Sequence, residues 1–436
     1  MPPLPWATVP ELRPFRGLRY DPSATGDIGA VLCPPYDVIS VAEREQLLAR
    51  HERNAVRLEL PIPPDGVSPG RPGAYAEAAR TLDRWVADGT LRRDSDPLVY
   101  VYEQRYAVDG GPGHVARSLF CALRLEDYGP AAGVRPHEHT LSGPKEDRFR
   151  LLSAVRTNLS PVLLLFDDGA GGAESAGLQD EITASPPALD TTGPAAIGQR
   201  LWPVDPAKSA AAARLLELAG SAPLTIADGH HRYETALRYR DAAGAPDESA
   251  YVLALLYDAH SGGLSLLPWH RLVSGVRDVE HVFRSAADLY VTERVTSSDD
   301  VLDRLSLVAT GVVGVWTRAG GALMTIDREY VVHLLPGVDS ETVRWLDANV
   351  LSVTLKRMIG SGADELSAQG RLTYVSKATE AIAAVEAGRA DVCFLLRPTP
   401  VESVLAVAAE GTFMPPKSTL FHPKAATGLV FHSLAP

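Results

Sequence analysis

Cysteine is scarce. Cys33, Cys121 and Cys393 are the only three in 436 residues, far apart and never in a Cys-x-x-Cys pair. That excludes a disulfide framework and a cysteine-bound zinc module, leaves the thiols as small buried apolar groups, and fits a reducing compartment. Long apolar runs are missing as well. The longest, such as Pro161 to Phe166, fall far short of the ~20 residues a membrane helix needs. The opening residues Met1-Pro2-Pro3-Leu4-Pro5-Trp6 have no basic flank followed by an apolar core, so no secretory leader is expected. Nor is there basic excess: 42 basic against 54 acidic side chains give a net charge of -12. Broad nucleic-acid binding relies on basic surface and is disfavoured, although a local basic pocket is not. The Gly-x-Gly-x-x-Gly fingerprint, the Gly-x-x-x-x-Gly-Lys frame of a P-loop and the Gly-x-Ser-x-Gly elbow are all absent. The expectation is a cytoplasmic protein that engages no membrane.

What remains is ordinary globular material: 45% hydrophobic and 22% charged residues, enough to bury a large core. The length allows roughly two or three domains at about 150 residues each. Helical and strand patterns alternate, predicting an α/β chain with α+β, antiparallel portions. We expect regions at 1–127, 128–277 and 278–436. Ala30 to Cys33 reads as a buried strand stopped by Pro34-Pro35. Ser40 caps a helix to about Arg50. Ala55 to Leu60 alternates apolar and charged residues like a half-buried strand. Further helices are expected at 74–88, 145–155, 207–218, 233–243 and 378–386. Strands are expected at 98–104, 114–123, 161–166, 223–227, 250–257 and 392–396. Gly110-Gly111-Pro112-Gly113 reads as a hairpin turn. Residues 169–206, rich in Ala, Gly, Pro and Ser, are expected to hold short strands.

The densest chemistry lies at residues 227–233, Ala-Asp-Gly-His-His-Arg-Tyr. Leu224 to Ala227 is a compact apolar strand, Asp228-Gly229 breaks it, and a helix follows. The joint delivers His230, His231 and Arg232 to a helix N-terminus, where free N–H groups and the dipole favour anions. Gly229 permits close backbone approach or positive φ. Arg232 can fork two hydrogen bonds to a phosphate or carboxylate. The histidines can donate, accept or shuttle protons. Asp228 can hold a magnesium ion or orient a histidine. The plain alternative is a capped turn with surface histidines. A zinc site fits poorly: His230 and His231 point apart on a regular element, and His137 with His139 lack an evident third ligand.

Other polar clusters accompany it. His137-Glu138-His139-Thr140 runs on to Lys145 and Arg148, giving a candidate base in Glu138 and two phosphate-binding cations. Pro34-Pro35 is a stiff turn that would set Tyr36 and Asp37 at a cleft. Arg57 and Glu59 share one side of the expected strand, as an ion pair or as substrate contacts. Lys417 and Ser418 follow Pro415-Pro416, with His422 and Lys424 beyond. His270-Arg271 comes after a strand and is placed on the same cleft. A solvated helix start, a structural ion pair or a polar turn explains each of these equally simply.

Taken together these stretches resemble a known family. Residues 227–233, Pro34 to Ile39, Asn54 to Leu60, His137-Glu138 with Gly143 to Arg148, Asn158 to Pro161, Pro268 to Leu272, Met414 to Thr419 and Phe421 to Lys424 are similar to bacterial domain-of-unknown-function family 1015. More distantly, Asp228 to Arg232 resembles the phosphate loop of the ParB/sulfiredoxin superfamily, closest in wording to free serine kinases. That resemblance implies a central ParB/sulfiredoxin-like region and a phosphotransferase using ATP or ADP with Mg2+ on a small hydroxylated metabolite such as serine. It implies phosphate held by Gly229 and Arg232, helped by Lys145, Arg148, Lys417 and Ser418. It implies catalysis by Glu138, Asp228, His230 and His231, and metal binding by Asp228. Tyr36, Asp37, Arg57, His137, His270 and Arg271 would meet substrate. A nucleotide hydrolase or phosphatase, and a non-catalytic nucleotide-sensing regulator, are the alternatives.

Overall fold

The computed structural model describes residues 8–61, 72–108, 111–129, 132–140, 142–244, 248–308, 310–335 and 340–435. Part of the expected turn at Gly110 to Gly113 lies outside the described residues. The chain is mixed α/β and forms two compact units. The first takes residues 1–136, 140–265 and 423–436; the second takes 137–139 and 266–422.

The first unit is built on a nine-stranded sheet. Along its main path the order is Val134–Arg135, Leu224–Asp228, Val162–Phe166, Tyr251–Asp258, Gly113–Arg124, Val99–Ala107, Gly198–Val204 and Leu189–Thr192. Strands from either side of residue 127 therefore share one sheet. Val162–Phe166 and Tyr251–Asp258 are buried along their whole length and pair in parallel. Continuous apolar runs of this kind belong in a sheet interior, covered on both faces. Leu224–Asp228 lies antiparallel to Val162–Phe166, and its register shifts between Ile226 and Asp228. That irregularity turns the chain out of the ladder just before Gly229, a usual place for a bulge beside a site. The helix Pro72–Ala87 packs on Ser142–Val155, and Ser142–Val155 packs on His230–Ala243.

Three local expectations are corrected. Ala30 to Cys33 is no strand: Asp27 caps a short helix, Ile28–Val31, by accepting from the Gly29 amide. Ala55 to Leu60 is a helical turn, Val56–Glu59. Asn54 enforces it, because its side-chain oxygen accepts from the Val56 amide while its nitrogen donates to the carbonyls of Ala30 and Leu32. Alternation in so short a segment loses to a buried polar cap. Between 169 and 206 a full helix, Ala173–Thr183, sits beside the two strands. Ser40 does cap Val41–Arg50, with Glu43 closing the capping box.

The second unit carries a six-stranded antiparallel sheet in the order Tyr290–Val295, Gly320–Ile326, Val312–Thr317, Val392–Leu395, His270–Val273 and Leu372–Val375. The helices Val279–Ala286 and Asp347–Ile359 pack together in its core. No helix among the described residues is long and apolar enough to cross a membrane.

Candidate functional site

The helix His230–Ala243 starts three residues earlier than its apolar pattern predicts. Gly229 occupies its N-cap with φ 90°, and no side chain caps it. Tyr233 fixes the entry: its ring is fully buried and stacks on Tyr128, and its hydroxyl donates to the Glu126 carbonyl at 2.8 Å. His230, His231 and Arg232 therefore make up the first turn, at the positive end of the helix dipole. A Cβ at residue 229 would lie 3.0 Å from the Arg232 guanidinium. Glycine is needed there twice over, for its positive φ and for the arginine folded across it.

Arg232 donates to the Pro161 carbonyl through Nη1 and to Asp228 Oδ2 through Nη2 at 2.5 Å. Lys424 holds the other oxygen of Asp228 and lies 3.5 Å from Asp37. Burial alone would raise the Asp228 pKa; Lys424 and Arg232 overcome it and hold the carboxyl well below the usual range. Burial likewise works to deprotonate Lys424 and Arg232, and Asp228 and Asp37 reverse it, so both cations are held above their ordinary values. Burial lowers the pKa of His231, partly offset by Glu234, which favours its neutral form.

A second carboxylate lies on the same side. Glu59 is 2% exposed, and its Oε1 is 3.4 Å from the Tyr36 amide and 3.9 Å from Arg148 Nη1. Arg148 also donates to the Glu59 carbonyl at 2.9 Å, and its guanidinium covers the Tyr36 ring at 4.2 Å. Burial raises the Glu59 pKa against the pull of Arg148 and Arg232. A cavity of about 50 Å³ opens among Glu59, Arg148, Ser160, Arg232 and Thr235. Small-molecule pockets hold roughly 300–1,000 Å³, so it takes one or two waters and no nucleotide.

The first unit holds Tyr36, Asp37, Arg148, Asp228, Gly229, His230, His231 and Arg232. It adds Lys424 and Glu59 in roles the sequence did not reveal. Lys145 pairs with Glu234 at 2.8 Å, one turn into the same helix. Each of Arg232, Lys424 and Lys145 has a carboxylate partner. Asp228 is corrected as a magnesium ligand, since cations occupy both its oxygens. No group of three or more His, Cys, Asp or Glu among the described residues is placed to hold a metal.

Arg57 is corrected too. The helical turn sends it away from Glu59, toward Arg44 and Arg84. His137, Glu138, His270, Arg271, Lys417 and Ser418 belong to the second unit. There His137 is buried against Thr419, and Glu138 pairs by its backbone with Met414. His270 accepts the Leu396 amide inside the sheet. Arg271 is 2% exposed and donates to the carbonyls of Trp269 and Lys417, and burial lowers its pKa to about 10. Lys417 sits 4.7 Å from the Trp269 ring centre, and the Ser418 hydroxyl donates to Pro415.

Fold and loop define a two-unit α/β protein with an uncapped, ion-paired helix start at the end of a buried strand. The chain belongs to the family described as protein of unknown function (DUF1015), whose model matches residues 12–348. Among solved structures it is similar to a free serine kinase mutant in complex with ADP, at 13% identity and TM-score 0.37, over 72% of this chain and 91% of that one. It is also similar to a conserved hypothetical protein from Pyrococcus furiosus, at 16% identity and TM-score 0.32, over 66% and 87%. C-terminally truncated SbnI from Staphylococcus aureus matches at 13% identity and TM-score 0.35, over 68% and 83%. No curated protein matches.

Proposed function

We propose that this chain is a nucleotide-dependent phosphotransferase, moving a phosphoryl group from ATP or ADP to a small hydroxylated metabolite, with serine the first acceptor to test. One observation carries the reading. The helix start at Gly229 has no side-chain cap, and two buried cations, Arg232 and Lys424, converge beside it on Asp228. Backbone N–H groups at such a point donate to phosphate oxygens without reorganisation, and a dipole of about half a charge favours the anion. Phosphoryl transfer asks chiefly for positioning and charge neutralisation, which these groups supply. In this reading Arg232 and Lys424 neutralise phosphate while Asp228 keeps them aligned. His231, held neutral, contacts the transferring group. The named free serine kinases are consistent with this choice of acceptor and add no weight of their own. The residues do not fit a resident magnesium ion at Asp228.

The test is incubation of the full chain with labelled serine and ADP or ATP. Phosphorylated serine is the expected product, and it is lost in Arg232→Ala. Phosphate released without an acceptor would indicate a hydrolase instead. Binding with no turnover would indicate a sensor. Arg232→Ala is expected to weaken nucleotide binding more than tenfold; unchanged affinity counts against all three readings.

A further inference from the structure

Away from that loop, three arginines from three helices of the first unit line one groove of about 250 Å³. Arg44 comes from Val41–Arg50, Arg57 from Val56–Glu59 and Arg84 from Pro72–Ala87. Arg44 is 8% exposed. Its Nε donates to the Leu60 carbonyl at 2.8 Å, but its buried Nη2 has no hydrogen-bond partner among the described residues. The buried Nε of Arg57 is likewise unpartnered there. Arg84 makes a long contact, 3.3 Å, to the Thr81 hydroxyl, and Asp88 acts on it at longer range. Two glutamates also line the groove but pair elsewhere: Glu77 with Arg80 at 2.7 Å, and Glu52 with Arg53 at 3.8 Å. Among the described residues no carboxylate comes within 4 Å of Arg44, Arg57 or Arg84 to form an ion pair.

Buried guanidinium nitrogens without acceptors are expensive, and like charges side by side add to that. Burial and the neighbouring Arg57 together lower the Arg44 pKa. Such an arrangement is relieved by an incoming anion. A carboxylate is planar and satisfies one guanidinium fork, whereas a phosphate presents oxygens in several directions at once. We propose that the Arg44–Arg57–Arg84 groove binds a phosphate-bearing ligand, at a site separate from the Gly229 loop.

Pyrophosphate is the probe, titrated into the full chain and followed by thermal shift and calorimetry. The wild type is expected to bind and to rise in Tm. Arg57→Gln and the exposed Arg84→Gln should each weaken binding at least tenfold. Lys424→Met, which alters only the other site, should bind pyrophosphate here as the wild type does. Without ligand, Arg57→Gln should melt no lower than wild type, because a repulsion has been removed; a merely structural arginine would melt lower. Absent binding, equal binding by the Arg57 and Arg84 variants, loss in Lys424→Met alone, or citrate matching pyrophosphate would each overturn the assignment.

Discussion

Lys424 sets its ammonium on the carboxylate of Asp228, a residue 196 positions earlier in the chain. The pair ties the C-terminal segment of the first unit to the strand end that feeds the loop, and it leaves Arg232 and Lys424 sharing one anion. Removing the lysine leaves Asp228 with one cation. Breaking a fully buried pair costs about 3–5 kcal/mol. Both side chains here are about a fifth exposed, so the cost should fall to about 2 kcal/mol. Urea unfolding of Lys424→Met measures it, and no loss of stability would mean the pair is idle.

Gly229→Ala tests the backbone. A left-handed non-glycine residue costs roughly 1–2 kcal/mol, and the added Cβ would press on Arg232. Stability should drop by about that amount and nucleotide affinity should fall with it. A variant that keeps both would show that the left-handed cap is incidental.

Stability should also depend on pH with a definite sign. The folded pKa of Asp228 is depressed, so its contribution is complete above the unfolded value near 4 and is lost as pH falls below it. His231 is depressed as well, so its contribution is complete above about 6.5 and is lost as pH falls through its folded value. Chemical unfolding at several pH values should therefore show His231→Gln losing less stability than wild type between pH 7 and pH 5. An identical slope would remove His231 from the account.

Glu59 runs the other way. Its folded pKa is raised, so its contribution is complete below the unfolded value near 4.3 and is lost as pH rises through the folded value. Glu59→Gln should then fare better, relative to wild type, at pH 8 than at pH 5. The reverse order would mean that Arg148 and Arg232 outweigh burial.

Much of this could be read from local chemistry. The Ser40 capping box, the wholly apolar Val162–Phe166 strand and the strand-to-helix joint at Asp228 each follow from a few adjacent residues. Misreadings arose where a distant group decided the outcome. Asn54 converts an alternating segment into a helical turn by bonding to residues 30 and 32, which separates Arg57 from Glu59. Lys424 reaches Asp228 only because the chain returns to the first unit after residue 422. The helix starts early, at His230, because tertiary burial of Tyr233 anchors a first turn that lacks apolar periodicity. The strand-to-helix joint was legible in residues 228–232; the sharing of the Asp228 carboxylate by Arg232 and the distant Lys424 was not.

The most direct test of the central claim is to follow the backbone amide resonances of Gly229, His230, His231 and Arg232 by NMR as ADP is added to the full chain. Large, saturable shifts at these four amides are predicted, because their N–H groups receive the phosphates. Amides that stay still while ADP binds elsewhere, or does not bind, would contradict it.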